Sequence, residues 1–428
     1  MRFVIIGNSA AGVAAVETLR RLGGFQHRIT VVSDELTGAY SRCLLPDLVA
    51  GKSTEYSIRL RPAEFYRRLE VELLAGVAAV EVRPGEKRLV LQDGRELAYD
   101  RLLVVTGASP VLPAVPGVKA EEVFTLRTLR DARRLSALVP RVSGAVVVGG
   151  GLVGLKAAYA LKQAGLAWVT VVVTSPRLLI RQLDERAAAM VERELLNAGI
   201  DFIYNARVKA FAAGPQGRLT GVELEDGREL PAGLAVVAKG VRPNSGLVEK
   251  AGGKVGQGIV VDGNMRTSLD DIYAAGDCIQ VTDRLTGQKV NSALWTLAFE
   301  QGRYAAANML GIARPYPAPL TRLNSARFGG VDVVSVGNLE GEEVLAQYDP
   351  LSRTYRRLVF DGERLAGFIL AGKVDGAGVY TALVKSGRPA WAYRRQLLQG
   401  QVGSVSLGTL LEQGKKDLNR NCHINTAT

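Results

Sequence analysis

The 428-residue chain has little of the side chains that redox and hydrolytic chemistry most often uses: three cysteines and two histidines. Cys43, Cys278 and Cys422 form no CxxC pair and no metal-ligand spacing. A disulfide framework, a zinc site and a cysteine-ligated iron–sulfur cluster are therefore not expected, nor is any other metal centre. With only His27 and His423, a mechanism built on a histidine base has almost nothing to draw on. No run of about 18 apolar residues occurs, because Gly, Lys or Arg interrupts every apolar stretch, so no membrane span is expected. The N-terminus enters a strand at once, Arg2-Phe-Val-Ile-Ile6, without the pattern of a secretion signal, and a cytoplasmic protein is expected. Aromatic residues make up 6%, and no basic cluster is interleaved with them, which argues against nucleic acid as a partner.

Glycine and aliphatic residues are abundant instead. There are 48 glycines and 47% apolar residues, in a chain long enough for about three domains. The formal net charge of +12 reads either as an arginine-rich surface or as steering of an acidic partner or of phosphate-bearing ligands.

One βαβ unit occurs twice. Residues 2–6 form a continuously apolar strand, Ala10 to Leu22 a helix with Val13, Val16 and Leu19 on one face, and Ile29 to Val32 a second strand. The order recurs with Ala145 to Val148, a helix from Leu152 to Ala164, and Val169 to Val173. Two nucleotide-sized units suggest two dinucleotides. Between them, 71–105 reads as hairpin strands with turns at Pro84-Gly85 and Asp93-Gly94, and Thr125 to Val139 as a helix. Strand-and-turn patterns return at 200–240, with turns at Gly214-Pro215 and Asp226-Gly227. Pro315, Pro317 and Pro319 mark a boundary, after which 321–385 alternates apolar and polar residues like an antiparallel sheet with a helix.

The first turn is Gly7-Asn8-Ser9-Ala10-Ala11-Gly12. A dinucleotide turn needs glycine for the bend and small residues where backbone meets pyrophosphate and where helix meets strand, with the phosphates on the helix N-terminus. Ser9 replaces the middle glycine. Asp34 and Glu35 follow the second strand, where a carboxylate accepts ribose hydroxyls. The second turn, with Gly149, Gly151, Leu152, Val153 and Gly154, is a complete GxGxxG between strand and helix. Its second strand ends without an acid. Ser175 and Arg177 there either accept a 2′-phosphate, favouring NADPH, or are solvated, so NADH and NADPH both remain open.

Further segments carry a resemblance in order and spacing. Thr106-Gly107-Ala108-Ser109-Pro110, then Ala238-Lys239-Gly240-Val241-Arg242-Pro243-Asn244, then Ile272 to Gly276-Asp277, resemble the pyridine nucleotide-disulfide oxidoreductase superfamily over residues 1–390. The resemblance implies an α/β fold: two Rossmann-like, three-layer ββα dinucleotide-binding domains plus a C-terminal α+β interface domain. It places the FAD-binding domain at 1–115 and 245–315, the NAD(P)-binding domain at 116–244, the interface domain at 316–395 and a polar, irregular tail at 396–428. It also implies a homodimer, Gly276 and Asp277 against the FAD ribityl and pyrophosphate, and the helix following Trp295, through Ala298, approaching the flavin ring.

Tyr40-Ser41-Arg42-Cys43-Leu44-Leu45-Pro46 looks like two branches at once. Tyr-x-Arg-x-Leu-Leu is similar to assimilatory nitrite reductases and to rubredoxin and ferredoxin reductases. Cys43-x-Leu-Pro46 is similar to the single-cysteine motif of coenzyme A-disulfide reductases and NADH oxidases. Cys43 is accordingly either a low-pKa thiolate beside the flavin or a small residue packed near the ring; Cys278 reads as structural. Related reductases carry Lys and Glu where this chain has Asp47 and Lys156, an exchange of charges that suggests a reversed ion pair near the flavin. The expectation is an NAD(P)H-dependent FAD oxidoreductase feeding an acidic iron–sulfur carrier or subunit. The alternatives are coenzyme A-disulfide, polysulfide or oxidase chemistry at Cys43 on a small thiol or disulfide, and a flavin redox sensor without turnover.

Overall fold

The computed structural model describes residues 1–214 and 217–402; Cys422 and His423, like Pro215 of the expected Gly214-Pro215 turn, lie outside the described residues. The chain divides into two compact units, residues 1–176 with 199–321, and residues 177–198 with the chain from 322 onward.

Along the first unit run β1 (Arg2–Ile6), α1 (Ala10–Gly23), β2 (Arg28–Ser33), α2 (Leu45–Val49), β3 (Val71–Ala75), β4 (Arg101–Val104), α3 (Leu129–Leu138), β5 (Gly144–Val148), α4 (Leu152–Gln163), β6 (Trp168–Val172), β7 (Ile200–Ile203), β8 (Leu234–Val237), β9 (Ile272–Ala274) and α5 (Trp295–Met309). The apolar runs become sheet centres because both sheet faces are covered. The first sheet has the order β9-β4-β1-β2-β3, all parallel. Helices α1 and α5 pack together. A Cβ on Gly302 would stand 2.2 Å from the Ala11 carbonyl oxygen, so the two helices cross backbone to backbone. A three-stranded antiparallel sheet (Ala79–Arg83, Arg88–Leu91, Glu96–Ala98) contributes Val82, Leu89 and Leu91 to the same core.

The second sheet has the order β7-β6-β5-β8 followed by the short strand Val123–Phe124, again all parallel. Helix α4 lies against β5 and β6. The antiparallel strands Val208–Ala213, Leu219–Leu224 and Glu229–Pro231 bury Phe211, Val222 and Leu224 against Val146, Val148 and Val172. The three-layer ββα arrangement expected twice is found twice.

Two local expectations change. The turns at Pro84-Gly85 and Asp93-Gly94 close hairpins as read, but β3 and β4, at the ends of the 71–105 stretch, pair in parallel with β2 and β1. Short apolar strands do not announce their partners. The helix expected from Thr125 begins only at Leu129. Thr128 and Asp131 form a reciprocal capping box, which satisfies otherwise orphaned N–H groups and stops the helix there.

The second unit is an antiparallel sheet of β10 (Leu323–Phe328), β11 (Val331–Gly337), β12 (Glu343–Asp349), β13 (Thr354–Asp361) and β14 (Arg364–Gly372), in the order β10-β11-β14-β13-β12, with α6 (Ala377–Ser386) against it. This is the α+β layer expected from the alternating pattern. The helix Glu185–Asn197 belongs to the same unit. Its N-cap, Asp184, accepts from Ala187 N at 3.1 Å and also binds the Tyr355 hydroxyl and Arg357. The tail expected from 396 opens with order: the helix Arg394–Gln399 buries Leu397, whose carbonyl accepts the Tyr380 hydroxyl at 2.6 Å.

Candidate active site

The first turn has the geometry a dinucleotide needs. Gly7 has φ +121°, and a Cβ there would stand 2.2 Å from the Val105 carbonyl oxygen; one on Gly12 would stand 2.2 Å from the Gly7 oxygen. Both positions therefore demand glycine for packing alone. Ser9 is the N-cap of α1 but its side chain makes no capping hydrogen bond, and the first turn holds no acid. The N–H groups and positive dipole end at Ala10, Ala11 and Gly12 are thus left for an external anion. Next to them, Asn8 Oδ1 accepts the Tyr66 hydroxyl at 2.6 Å, while its buried Nδ2 has no partner among the described residues.

The other segments converge on this turn. A Cβ on Gly276 would stand 3.4 Å from that of Ala11 and 3.6 Å from that of Ala298, so β1–α1, the Gly276-Asp277 turn and the start of α5 meet at one place. Asp277 Oδ2 binds Arg127 Nη2 at 2.8 Å, and a Cβ on Gly107 would lie 3.6 Å from that same guanidinium nitrogen. Arg42 Nη1 donates to the Arg127 carbonyl and its Nη2 to Glu35, both at 2.6 Å. The other oxygen of Glu35 accepts the Tyr40 hydroxyl at 2.6 Å, and that hydroxyl in turn accepts from Leu129 N at 2.9 Å. Each Glu35 oxygen keeps a lone pair for a ribose hydroxyl; Asp34 beside it is exposed. Burial opposes the Arg42 charge, yet the pull of Tyr40 and Glu35 prevails and raises its pKa. Burial likewise raises the Tyr40 phenol above its ordinary value. Thr106 and Asn244 exchange hydrogen bonds at 2.7 and 2.9 Å, tying the strand Ala108–Pro110 to Val241–Pro243 beyond Gly240.

The second turn repeats the first. Gly149 has φ +130°, and a Cβ on Gly154 would stand 1.9 Å from the Gly149 oxygen. By contrast, a Cβ on Gly151 meets no atom within 4 Å. Protein packing does not require glycine at that middle position, which explains how Ser9 stands at its counterpart. Leu152 and Val153 open α4, and Ser175 lies in the loop after β6. Arg177 falls in the second unit, where its Nη1 donates to the Leu183 carbonyl at 2.7 Å.

Cys43 lies in the one-turn helix Arg42–Leu44; part of the residue faces solvent, while surrounding protein crowds the thiol itself. Its thiol pKa is raised, by burial first and then by the Asp277 carboxylate, with Arg127 opposing. The depressed value expected of a redox thiolate is not what these surroundings produce. Cys278 is wholly buried, its thiol pKa pushed up to about 11 by burial, and it donates to the Ala275 and Val104 carbonyls as a structural residue does. Asp47 and Lys156 lie on α2 and α4, which pack together; Lys52 Nζ stands 6.0 Å from the Tyr159 ring at the same junction.

Sequence reasoning missed Asn8, Tyr66 and Arg127. The signal for Arg127 was present: the Thr128-x-x-Asp131 capping box puts Arg127 just outside the helix instead of within it.

Two glycine turns of this geometry, each between a parallel strand and a helix, define a protein that binds two dinucleotides. The orphaned Asn8 amide and the cradle at Gly151 fit the pyrophosphates. Residues 1–302 match the family described as pyridine nucleotide-disulphide oxidoreductase, and residues 319–388 match the rubredoxin NAD+ reductase C-terminal domain. The chain belongs to the pyridine nucleotide-disulphide oxidoreductase family; it is an NAD(P)H-dependent oxidoreductase that uses FAD. It is 34% identical to the NADH-dependent phenylglyoxylate dehydrogenase subunit epsilon of Aromatoleum evansii, over 90% of this chain and 91% of that one. It is 29% identical to the assimilatory nitrate reductase electron transfer subunit of Bacillus subtilis, over 87% of this chain but only 47% of that longer protein. Among solved structures, putidaredoxin reductase in its covalent complex with putidaredoxin superposes with a TM-score of 0.85 at 28% identity, covering 97% of this chain and 99% of that one. A NAD-dependent persulfide reductase from A. fulgidus superposes with a TM-score of 0.83 at 29% identity, covering 90% and 77%.

Proposed function

We propose that this protein takes hydride from NADH or NADPH and delivers electrons one at a time to an acidic iron–sulfur carrier or partner subunit of the rubredoxin or ferredoxin kind, as a cytoplasmic homodimer. Bound FAD supplies the conversion of a two-electron hydride into one-electron transfers. The first turn and the α1 N-terminus hold its pyrophosphate, Asp34 and Glu35 its ribose, and Arg42, Gly107 and Asp277 flank it. The second turn holds the nicotinamide dinucleotide. Hydride transfer then needs proximity and alignment and no side-chain base, in keeping with the scarcity of histidine. Asp47 and Lys156, on packed helices, are the charged groups proposed to flank the transfer.

The observation that carries this reading is the state of the cysteines. Cys43 lies beside the Arg127–Asp277 pair with its pKa raised and not depressed, while Cys278 is sealed in the core. Among the described residues no second thiol is placed to form a disulfide with Cys43, which supports electrons leaving through the flavin instead of resting on a protein dithiol. The match of 319–388 to a rubredoxin reductase domain and the +12 charge favour an acidic carrier as acceptor. Steady-state reduction of rubredoxin by NADH tests it: the Cys43→Ser variant is expected to keep wild-type turnover, and loss of turnover in that variant contradicts the reading.

A second reading rests on the exposure of Cys43 and on the likeness to the persulfide reductase: a small disulfide or persulfide reaches this thiol. In that case Cys43→Ser abolishes turnover with such a substrate.

A further inference from the structure

We propose that the exposed face of the segment Lys52–Arg59, built on Tyr56 and Arg59, is the surface on which the acidic iron–sulfur carrier docks. The inference rests on the electron-delivery reading above and names where delivery occurs.

Three features of the segment point there. The first is its position. Ser41 N donates to the Ile58 carbonyl at 2.8 Å and Leu60 N to the Ala39 carbonyl at 2.9 Å, with Arg59 bridged to Tyr40. Residues 58–60 therefore run as a short antiparallel ladder beside 39–41, and the turn carrying Arg42 and Cys43 follows directly. The buried Ile58 pins the ladder from below. A carrier seated here stands beside the flavin site's own loop, which one-electron transfer requires.

The second feature is the exposed side chains. Tyr56 is 75% exposed, among the most exposed large side chains of the described residues, and the Arg59 guanidinium lies 5.4 Å above its ring. A solvent-facing tyrosine under an arginine leaves apolar area in water and presents the pair of residue types that most often carries binding energy at protein interfaces. Its shape is preset, so little ordering is lost on docking.

The third is charge. Residues 52–68 hold five basic side chains and two acidic ones. Glu55 is neutralised by Arg133 through two contacts of 2.6 Å, and Arg61 by Glu17 at 2.5 Å. Lys52 and Arg59 remain exposed on the segment itself, and Arg67 and Arg68 further along the chain outnumber the one other exposed acid, Glu64. A positive face speeds encounter with a negative carrier and selects against positive ones.

The test uses the FAD-loaded full chain, with rubredoxin as acceptor. Arg59→Glu is expected to raise the KM for rubredoxin about tenfold and to flatten the ionic-strength dependence of kcat/KM, while Arg59→Lys keeps both. Tyr56→Ala is expected to raise KM with kcat little changed. Flavin reduction by NADH, followed by stopped flow without carrier, stays at the wild-type rate in all three. If the wild type reduces rubredoxin and neither Arg59→Glu nor Tyr56→Ala moves KM beyond twofold, the docking surface is overturned and electron delivery stands. If the wild type fails to reduce rubredoxin at all, the delivery reading falls and the docking inference with it.

Discussion

Arg127 and Asp277, 150 positions apart in sequence, meet as an ion pair of 2.8 Å, with the guanidinium 24% and the carboxylate 15% exposed. The pair depends on Asp131, whose carboxylate takes Thr125 Oγ1 and the backbone N–H groups of Arg127 and Thr128 and so fixes the extended run before α3. A helix cap thereby sets the position of a charge beside the Gly276-Asp277 turn.

Removing Arg127 strands a largely buried carboxylate. Arg127→Gln is expected to destabilise the protein by about 1–3 kcal/mol and to lower FAD retention, measured by denaturant unfolding and by the flavin-to-protein absorbance ratio. Equal stability and full flavin content would show that the pair contributes nothing.

The Cys43 thiol should resist deprotonation. Burial and Asp277 raise its pKa, so the rate of alkylation by iodoacetamide is expected to keep climbing through the pH range where an ordinary cysteine has already reached its plateau. Arg127 lowers that pKa, and its removal is expected to shift the profile to still higher pH. A plateau already reached near neutral pH would contradict this and favour the thiol-based reading.

Gly154 separates the two cofactors experimentally. A methyl group there collides with the Gly149 carbonyl, so Gly154→Ala is expected to raise the KM for NADH at least about tenfold while the protein stays yellow with FAD. Loss of FAD in this variant would show that the two turns do not act independently.

The charge exchange at Asp47 and Lys156 is tested by reversal. Lys156→Glu alone is expected to slow flavin reduction by NADH by about tenfold, and Asp47→Lys with Lys156→Glu to restore most of the rate. If neither the single nor the double variant changes the rate, the two residues have no joint role.

The sheet centres and both glycine turns were legible in the sequence because continuous apolar runs and fixed glycine spacings have few structural solutions. The places where reading failed share a cause: the deciding partner is distant in sequence. β3 and β4 pair with strands far along the chain, and nothing local distinguishes them from hairpin strands. The pKa of Cys43 is raised by burial first and then by Asp277, with Arg127 opposing, so the motif Cys43-x-Leu-Pro46 alone left its two readings, thiolate and packed residue, both open. Asn8 stood inside the quoted turn, but only its pairing with Tyr66, 58 positions on, leaves its amide N–H group free for a ligand.

The most direct test of the central claim is an anaerobic titration of the as-isolated protein with NADH and with NADPH, followed by oxidised rubredoxin. The account requires full reduction at about one nicotinamide equivalent per FAD and then about two rubredoxins reduced per FAD. A second nicotinamide equivalent that disappears in Cys43→Ser, with rubredoxin left oxidised, would contradict it and place the chemistry on the thiol.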